Sequence, residues 1–121
     1  MGVKSFQDLE VWNLAMELAV HCYKVTKIFP SNELFGLTSQ IRRAATSVPA
    51  NIAEGQSRNS TKEFLNFLGI ARGSLSELET HLILSHRVGL LADQALKDLT
   101  LQLNSVGRMV SALRNSLKKR L

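Results

Sequence analysis

Apolar residues recur at spacings of three and four along most of the chain, and this period predicts amphipathic helices. Prolines, glycines and capping residues interrupt the pattern and place four helices at about residues 7–29, 33–55, 61–88 and 94–118. Short links between long helices favour antiparallel neighbours. The predicted fold is therefore all-α, an antiparallel up-down-up-down four-helix bundle that forms one domain over residues 1–121.

Three of the predicted helix starts carry capping signals. Ser5 and Asp8 have the spacing of a capping box before the first helix, and Ser60 with Glu63 has it before the third. Asp93 is the predicted N-cap of the fourth helix.

Pro49 lies inside the apolar pattern of the second helix. Proline removes one backbone donor and crowds the carbonyl four residues earlier, here that of Ala45. We expect a kink near Pro49, and two shorter helices meeting there are the alternative.

The first helix is apolar over a wider arc than a bundle helix needs for its own core. This width predicts a second burial surface, with Val11, Trp12 and Tyr23 as candidate oligomer contacts. Core packing is the alternative for Trp12 and Tyr23, which lie three turns apart on one side of the helix.

Gly69 and Gly73 lie one turn apart inside the third helix. Each costs about 1 kcal/mol relative to alanine in a helix interior. The usual reason for such a pair is another helix in close approach, which we expect here.

The charge distribution separates the end of the chain from the rest. The net charge is +5, yet residues 1–98 hold ten basic and ten acidic residues, so the whole excess lies in residues 99–121. A contact with nucleic acid or an acidic partner is one interpretation, and complementation of a helix dipole is the other. The basic residues of this segment are Arg108, Arg114, Lys118, Lys119 and Arg120.

The second helix carries a polar stripe, defined by six residues on one face: Gln40, Arg43, Ser47, Asn51, Glu54 and Arg58. Three interpretations stay open. The stripe is a solvated face, a hydrogen-bonded network at a subunit contact, or a site for nucleic acid or a small ligand. In the last case Arg42, Arg43 and Arg58 are the candidate phosphate donors.

Enzyme chemistry finds no support in the sequence. Di-iron bundles use Glu-x-x-His pairs, which do not occur here; Glu17/His21 and Glu77/His81 have the i,i+4 spacing of an ordinary helix surface. Cys22 is expected to be a small buried hydrophobe. We therefore expect no catalytic residues, no metal and no cofactor.

The location of the protein is predicted from segments that the sequence lacks. A single cysteine rules out an internal disulfide, and the sequence shows neither a signal peptide nor an apolar run long enough for a membrane span. These features predict a cytoplasmic protein with no membrane partner.

Five ordered motifs over about residues 6–92 resemble the bacterial four-helix bundle proteins also called 23S rRNA intervening-sequence proteins. The motifs are Phe6-x-x-Leu9-x-Val11-Trp12, Phe29-Pro30-x-x-Glu33-x-x-Gly36-Leu37, Gln40-Ile41-Arg42-Arg43-Ala44-Ala45-x-Ser47, Asn51-Ile52-Ala53-Glu54-Gly55-x-x-Arg58 and Gly73-Ser74-Leu75-x-Glu77-Leu78-Glu79.

The resemblance implies a bundle that forms a ring-like homo-oligomer, with a pentamer as the expected form. The family is in turn similar to the accessory proteins of diversity-generating retroelements, which are basic pentameric bundles that bind nucleic acid. Residues 1–98 of this chain are charge-neutral and differ from those proteins. The expected function is non-enzymatic self-assembly for binding or scaffolding, and a nucleic-acid-binding accessory factor, for RNA or DNA, is the alternative.

Overall fold

The computed structural model describes residues 5–121, and these residues form four helices with no β-strand among them. The helices are α1 (Glu10–Thr26), α2 (Leu37–Gln56), α3 (Thr61–Arg87) and α4 (Asp93–Lys118). Two short 3-10 turns, Phe6–Asp8 and Ser31–Glu33, precede α1 and α2. The predicted all-α fold of four helices is confirmed.

Contacts between helices run around the bundle, because α1 and α3 each pack against both α2 and α4. Between α2 and α3, Ser47 meets Ser74 and Arg43 meets Glu77, so positions rise along one helix as they fall along the other. The α2–α3 pair is therefore antiparallel. The up-down-up-down order of the whole bundle stays a prediction.

The core is aliphatic and draws on all four helices. Each large side chain that is fully buried contributes roughly 1.5–3 kcal/mol through the hydrophobic effect. The largest fully buried hydrophobic side chains are Leu18, Ile41, Ile52, Leu68, Leu78, Leu82 and Leu99. Val11 is buried in the same core, so its predicted role as an oligomer contact is wrong for this bundle. One residue along the helix turns a side chain by about 100°, which separates Val11 from the outward-facing positions.

The observed helix starts differ from the predicted ones at three places. The Ser5/Asp8 capping box forms, but it caps the N-terminus of the 3-10 turn and not that of α1. Helix α1 begins only at Glu10, after Leu9 in extended conformation. Helix α2 begins at Leu37 rather than near residue 33. Asp93 is the first residue of α4 and Ala92 is its N-cap; the Asp93 carboxylate lies 2.7 Å from His86 Nε2.

Helix α2 continues through Pro49 as one helix, which excludes the alternative of two shorter helices. The Pro49 side chain itself is buried. The kink near Pro49 stays a prediction.

The glycines of α3 do not mark a close approach within this chain. A Cβ added at Gly73 would meet no heavy atom within 4 Å among the described residues, and at Gly69 only Arg114 Nη2, at 3.8 Å. The close approach occurs instead at Gly55, where a Cβ would lie 2.8 Å from Cβ of Phe67. The expected close approach at Gly69 and Gly73 is therefore not found within this chain. At Gly55 the two helices α2 and α3 come so close that a side chain would not fit.

Candidate interaction surfaces

The polar stripe of α2 faces α3 of the same chain over its first half. Arg43 Nη2 donates to Gln40 Oε1 at 2.8 Å and to Glu77 Oε2 at 2.5 Å. The hydroxyls of Ser47 and Ser74 lie 2.8 Å apart. We call these contacts the α2–α3 seam. Its polar groups have hydrogen-bond partners within the same chain.

The second half of the stripe pairs mainly along α2. Asn51 Nδ2 donates to the carbonyl and the hydroxyl of Ser47, at 2.8 and 2.9 Å. Glu54 forms an ion pair with Arg58 at 3.2 Å, and the Arg58 guanidinium lies 5.0 Å from the Phe67 ring centroid. Because Arg43, Glu54 and Arg58 are exposed, the stripe is neither simply solvated nor fully internal. A subunit contact or ligand at its outer edge stays a prediction.

The Glu77 carboxylate has hydrogen-bond partners on both helices of the α2–α3 seam, Arg43 on α2 and His81 on α3. The hydrogen bond from His81, 3.4 Å away, lowers the pKa of Glu77 most strongly, and the hydrogen bond and charge of Arg43 lower it further. Partial desolvation opposes this shift. The carboxylate is the common acceptor for both partners.

The predicted phosphate donors on α2 are already engaged. Arg42 Nε donates to Thr26 Oγ1 at 2.9 Å, and its guanidinium lies 4.6 Å from the Tyr23 ring centroid. Arg42 therefore joins α2 to α1, while Arg43 and Arg58 bind the acidic partners described above. A phosphate at these arginines would have to compete with carboxylates or an aromatic ring.

The basic residues of α4 lie at different places. Arg108 is exposed and donates to Ser105 at 3.3 Å. Arg114 is half-buried beside Gly69, and its Nε finds no partner within residues 5–121. Arg120 lines a cleft of about 440 Å³ together with Arg58, where the α2–α3 turn meets the end of α4. The fold thus brings together two arginines that are far apart in the sequence.

The outward face of α1 forms an apolar ridge, which we define as Trp12, Met16 and Val20. These residues follow one another at a spacing of four and stand between two grooves. Three side chains of this face are markedly exposed although large and apolar: Met16, Val20 and Tyr23. The extra apolar width of the first helix is therefore unburied in the single chain.

The α1–α2 groove lies on one side of the ridge and has a volume of about 670 Å³. Tyr23 lines it from α1, and Pro49, Ala50 and Ala53 line it from α2. Two lysines, Lys24 and Lys27, are among its lining residues, and no carboxylate is. Trp12 and Tyr23, predicted as contacts, are thus brought to one surface.

The α1–α4 groove on the other side has a volume of about 740 Å³ and is more polar. His21 Nδ1 and Gln102 Oε1 lie 2.5 Å apart and connect its two walls. Glu17 and Asn13 add further polar groups. The ridge therefore has an apolar and a polar side.

Sequence reasoning missed the turn between α1 and α2. Leu34 falls inside the predicted second helix, which starts near residue 33, but it lies before α2 and is exposed, as are Ile28 and Phe35, the latter to 92%. The apolar residues Leu34 and Phe35 lie between Pro30 and Gly36, in the part of the chain that the sequence assigns to the start of the second helix. The apolar pattern of the helix, extended back to residue 33, hid the turn between α1 and α2.

Cys22 is buried, and desolvation raises the pKa of its thiol to about 12. Within residues 5–121 no three side chains of His, Cys, Asp or Glu converge in a way that could hold a metal ion. In the same part of the chain, no helix combines the length and apolarity that crossing a membrane requires.

Comparison with known proteins places the chain in a family context. Residues 7–112 match the family model described as 23S rRNA-intervening sequence protein. A crystal structure from Bacteroides thetaiotaomicron, described as a protein with unknown function from the S23 ribosomal protein family, is similar with a TM-score of 0.77. The two chains are 25% identical, and the match covers 86% of this chain and 97% of that one. Curated protein sequences give no significant match.

Proposed function

Since this chain belongs to the 23S rRNA-intervening sequence protein family, and since its first helix presents an uncovered apolar face, we propose that it is a non-enzymatic bundle that assembles with copies of itself. Binding or scaffolding is then a property of the assembly. The proposal rests on one observation, the apolar ridge of α1 between its two grooves.

The ridge has the form of a helix-packing surface. Side chains four residues apart form the ridges that interdigitate with the grooves of a partner. Exposed apolar patches that are continuous in this way mark interaction sites more often than isolated exposed hydrophobic residues do. Trp12 and Tyr23 add aromatic residues, which are enriched at protein interfaces.

A second copy of the chain is the partner that the family resemblance favours. A ring of identical subunits, with the pentamer as the expected form, requires a heterologous contact between two different surfaces of each subunit. The α1 face supplies one of the two surfaces.

Light scattering after gel filtration at tens of micromolar tests the proposal. We expect wild type to elute as an oligomer and Val20→Glu, which places a charge on the ridge, to elute as a monomer. Ile70→Glu is the matched control, because Ile70 is 45% exposed against 50% for Val20 but lies on α3. A monomeric wild-type protein would contradict the proposal.

Nucleic-acid binding is a second candidate, and the cleft that Arg58 and Arg120 both line favours it. Lys118 and Lys119 are exposed at the same end of α4. The test is a titration with rRNA-like RNA and duplex DNA at several salt concentrations. Phosphate contacts predict that log affinity falls with log salt by about 0.9 per contact for duplex DNA.

A double variant, Lys118→Ala with Arg120→Ala, should reduce both the affinity and the salt dependence. Lys97→Ala, a change at an exposed lysine near the start of α4, is its control. Absence of binding at low salt removes this candidate.

A further inference from the structure

The turn between α1 and α2 is held by a set of hydrogen bonds. The backbone N–H of Glu33 donates to Pro30 O at 2.9 Å, and that of Gly36 donates to Glu33 O at the same distance. Glu33 Oε1 then accepts from the N–H of Leu37, the first residue of α2, at 3.3 Å. A Cβ at Gly36 would lie 2.8 Å from this carboxylate oxygen, so glycine leaves room for it.

This ordered turn presents apolar side chains to the outside. Phe35 is 92% exposed and Ile28 is 84% exposed, and Leu34 lies between them in the same segment. We call these three residues the apolar knob. Because the backbone is already fixed, docking of the knob would cost little ordering entropy, which is the general advantage of a preorganised binding element.

The α1–α2 groove is complementary to the knob in polarity and charge. Its walls are apolar, and its charged lining residues are Lys24 and Lys27. Between Ile28 and Leu37 the sole charged residue is Glu33. A volume of about 670 Å³ admits an aromatic side chain with aliphatic neighbours.

We infer that the apolar knob of one copy of this chain occupies the α1–α2 groove of the next copy, with Phe35 as the central anchor. This inference rests on the proposed self-association and specifies its geometry. Knob and groove are different surfaces, so the contact is heterologous and generates a ring or, without closure, a filament. Central buried aromatic residues carry much of the energy of such contacts.

Complementation between two variants tests the inference. Phe35→Glu removes the knob and leaves the groove, while Val20→Glu disrupts the groove side and leaves the knob. Each variant alone should be monomeric by light scattering. An equimolar mixture should form dimers and no larger species, because one intact knob meets one intact groove.

A cysteine pair tests the same contact without a change of charge. Copies with Leu34→Cys, which keeps the Phe35 anchor, are mixed with copies of a different mass that carry Ala50→Cys, a position on the groove wall. Under mild oxidation we expect the mixed disulfide in large excess over either homodimer. Leu34→Cys mixed with Ser76→Cys on α3 is the control, and buried Cys22 contributes little background.

The outcomes separate the inference from the proposed function. Wild type can be oligomeric while the two variants fail to complement each other, or while Ala50→Cys copies cross-link mainly with one another. Either result overturns the contact between knob and groove and leaves self-association intact. A monomeric wild type overturns both. Because Phe35 is almost fully exposed, the monomeric Phe35→Glu variant should keep helical circular dichroism and cooperative thermal unfolding, which would show that any loss of assembly is not a loss of folding.

Discussion

The hydroxyl oxygens of Ser47 on α2 and Ser74 on α3 lie 2.8 Å apart, and Ser74 is only 8% exposed. Asn51 donates to the same Ser47 hydroxyl at 2.9 Å. A buried hydroxyl without a partner is costly, so these groups fix the axial register of the two helices. A slip of one residue along α3 would separate the two serines.

Removal of one hydroxyl should destabilise the bundle measurably. We expect Ser74→Ala to lower the free energy of unfolding by about 1 kcal/mol, because Ser47 loses one of its two side-chain partners. Urea unfolding at one fixed protein concentration is the measurement, since assembly is coupled to unfolding. A double-mutant cycle with Ser47→Ala should give a coupling of about 0.5–1.5 kcal/mol. Ser76→Ala, at an exposed serine of the same helix, should change stability by less than about 0.5 kcal/mol.

Two glycine-to-alanine substitutions should act in opposite directions. Gly73→Ala should stabilise the fold by about 0.5–1 kcal/mol, because Gly73 is inside a helix and has open space at its Cβ position. Gly55→Ala should destabilise it by about 1–3 kcal/mol through the clash with Phe67 and Phe64. Thermal unfolding of both variants beside wild type gives the comparison. Equal effects of the two substitutions on stability would contradict the close packing of α2 against α3 at Gly55.

The ionisation of Glu77 links the α2–α3 seam to pH. A carboxyl whose pKa is lowered on folding stabilises the native state above its unfolded pKa, and that contribution is lost as the pH falls through the lowered value. Carboxyl NMR titration should find the pKa of Glu77 below the usual glutamate range. His81→Leu and Arg43→Met should each raise it. A pKa unchanged in both variants would contradict the contacts of the seam.

The thiol of Cys22 should be almost unreactive in the folded protein. Burial raises its pKa to about 12, and the thiolate is the nucleophile, so very little reactive species exists at pH 8. We expect a disulfide reagent to modify Cys22 slowly in the native state and rapidly in denaturant. Fast modification of the native protein would place Cys22 at the surface instead of in the core.

The number and character of the helices could be predicted because they depend on local information. Burial of one helix face imposes a period of 3.6 on the sequence, and side chains such as Ser60 mark helix starts through bonds to nearby backbone. The same reasoning places the start of α2 too early, at about residue 33 instead of Leu37. Apolar residues of an exposed turn, Leu34 and Phe35, looked like one more turn of the helix.

The contacts of the candidate surfaces depend on how the helices pack against one another, which the pattern of a single helix does not contain. The sequence by itself determined four amphipathic helices, a polar stripe on the second and an apolar excess on the first. Only the tertiary structure decided that the stripe meets Ser74 and Glu77, that Val11 is internal, and that Gly55 is the point of close approach. The reason is geometric: a pattern defines which face of a helix is apolar, while the rotation and axial shift of each helix against its neighbours decide which residues touch.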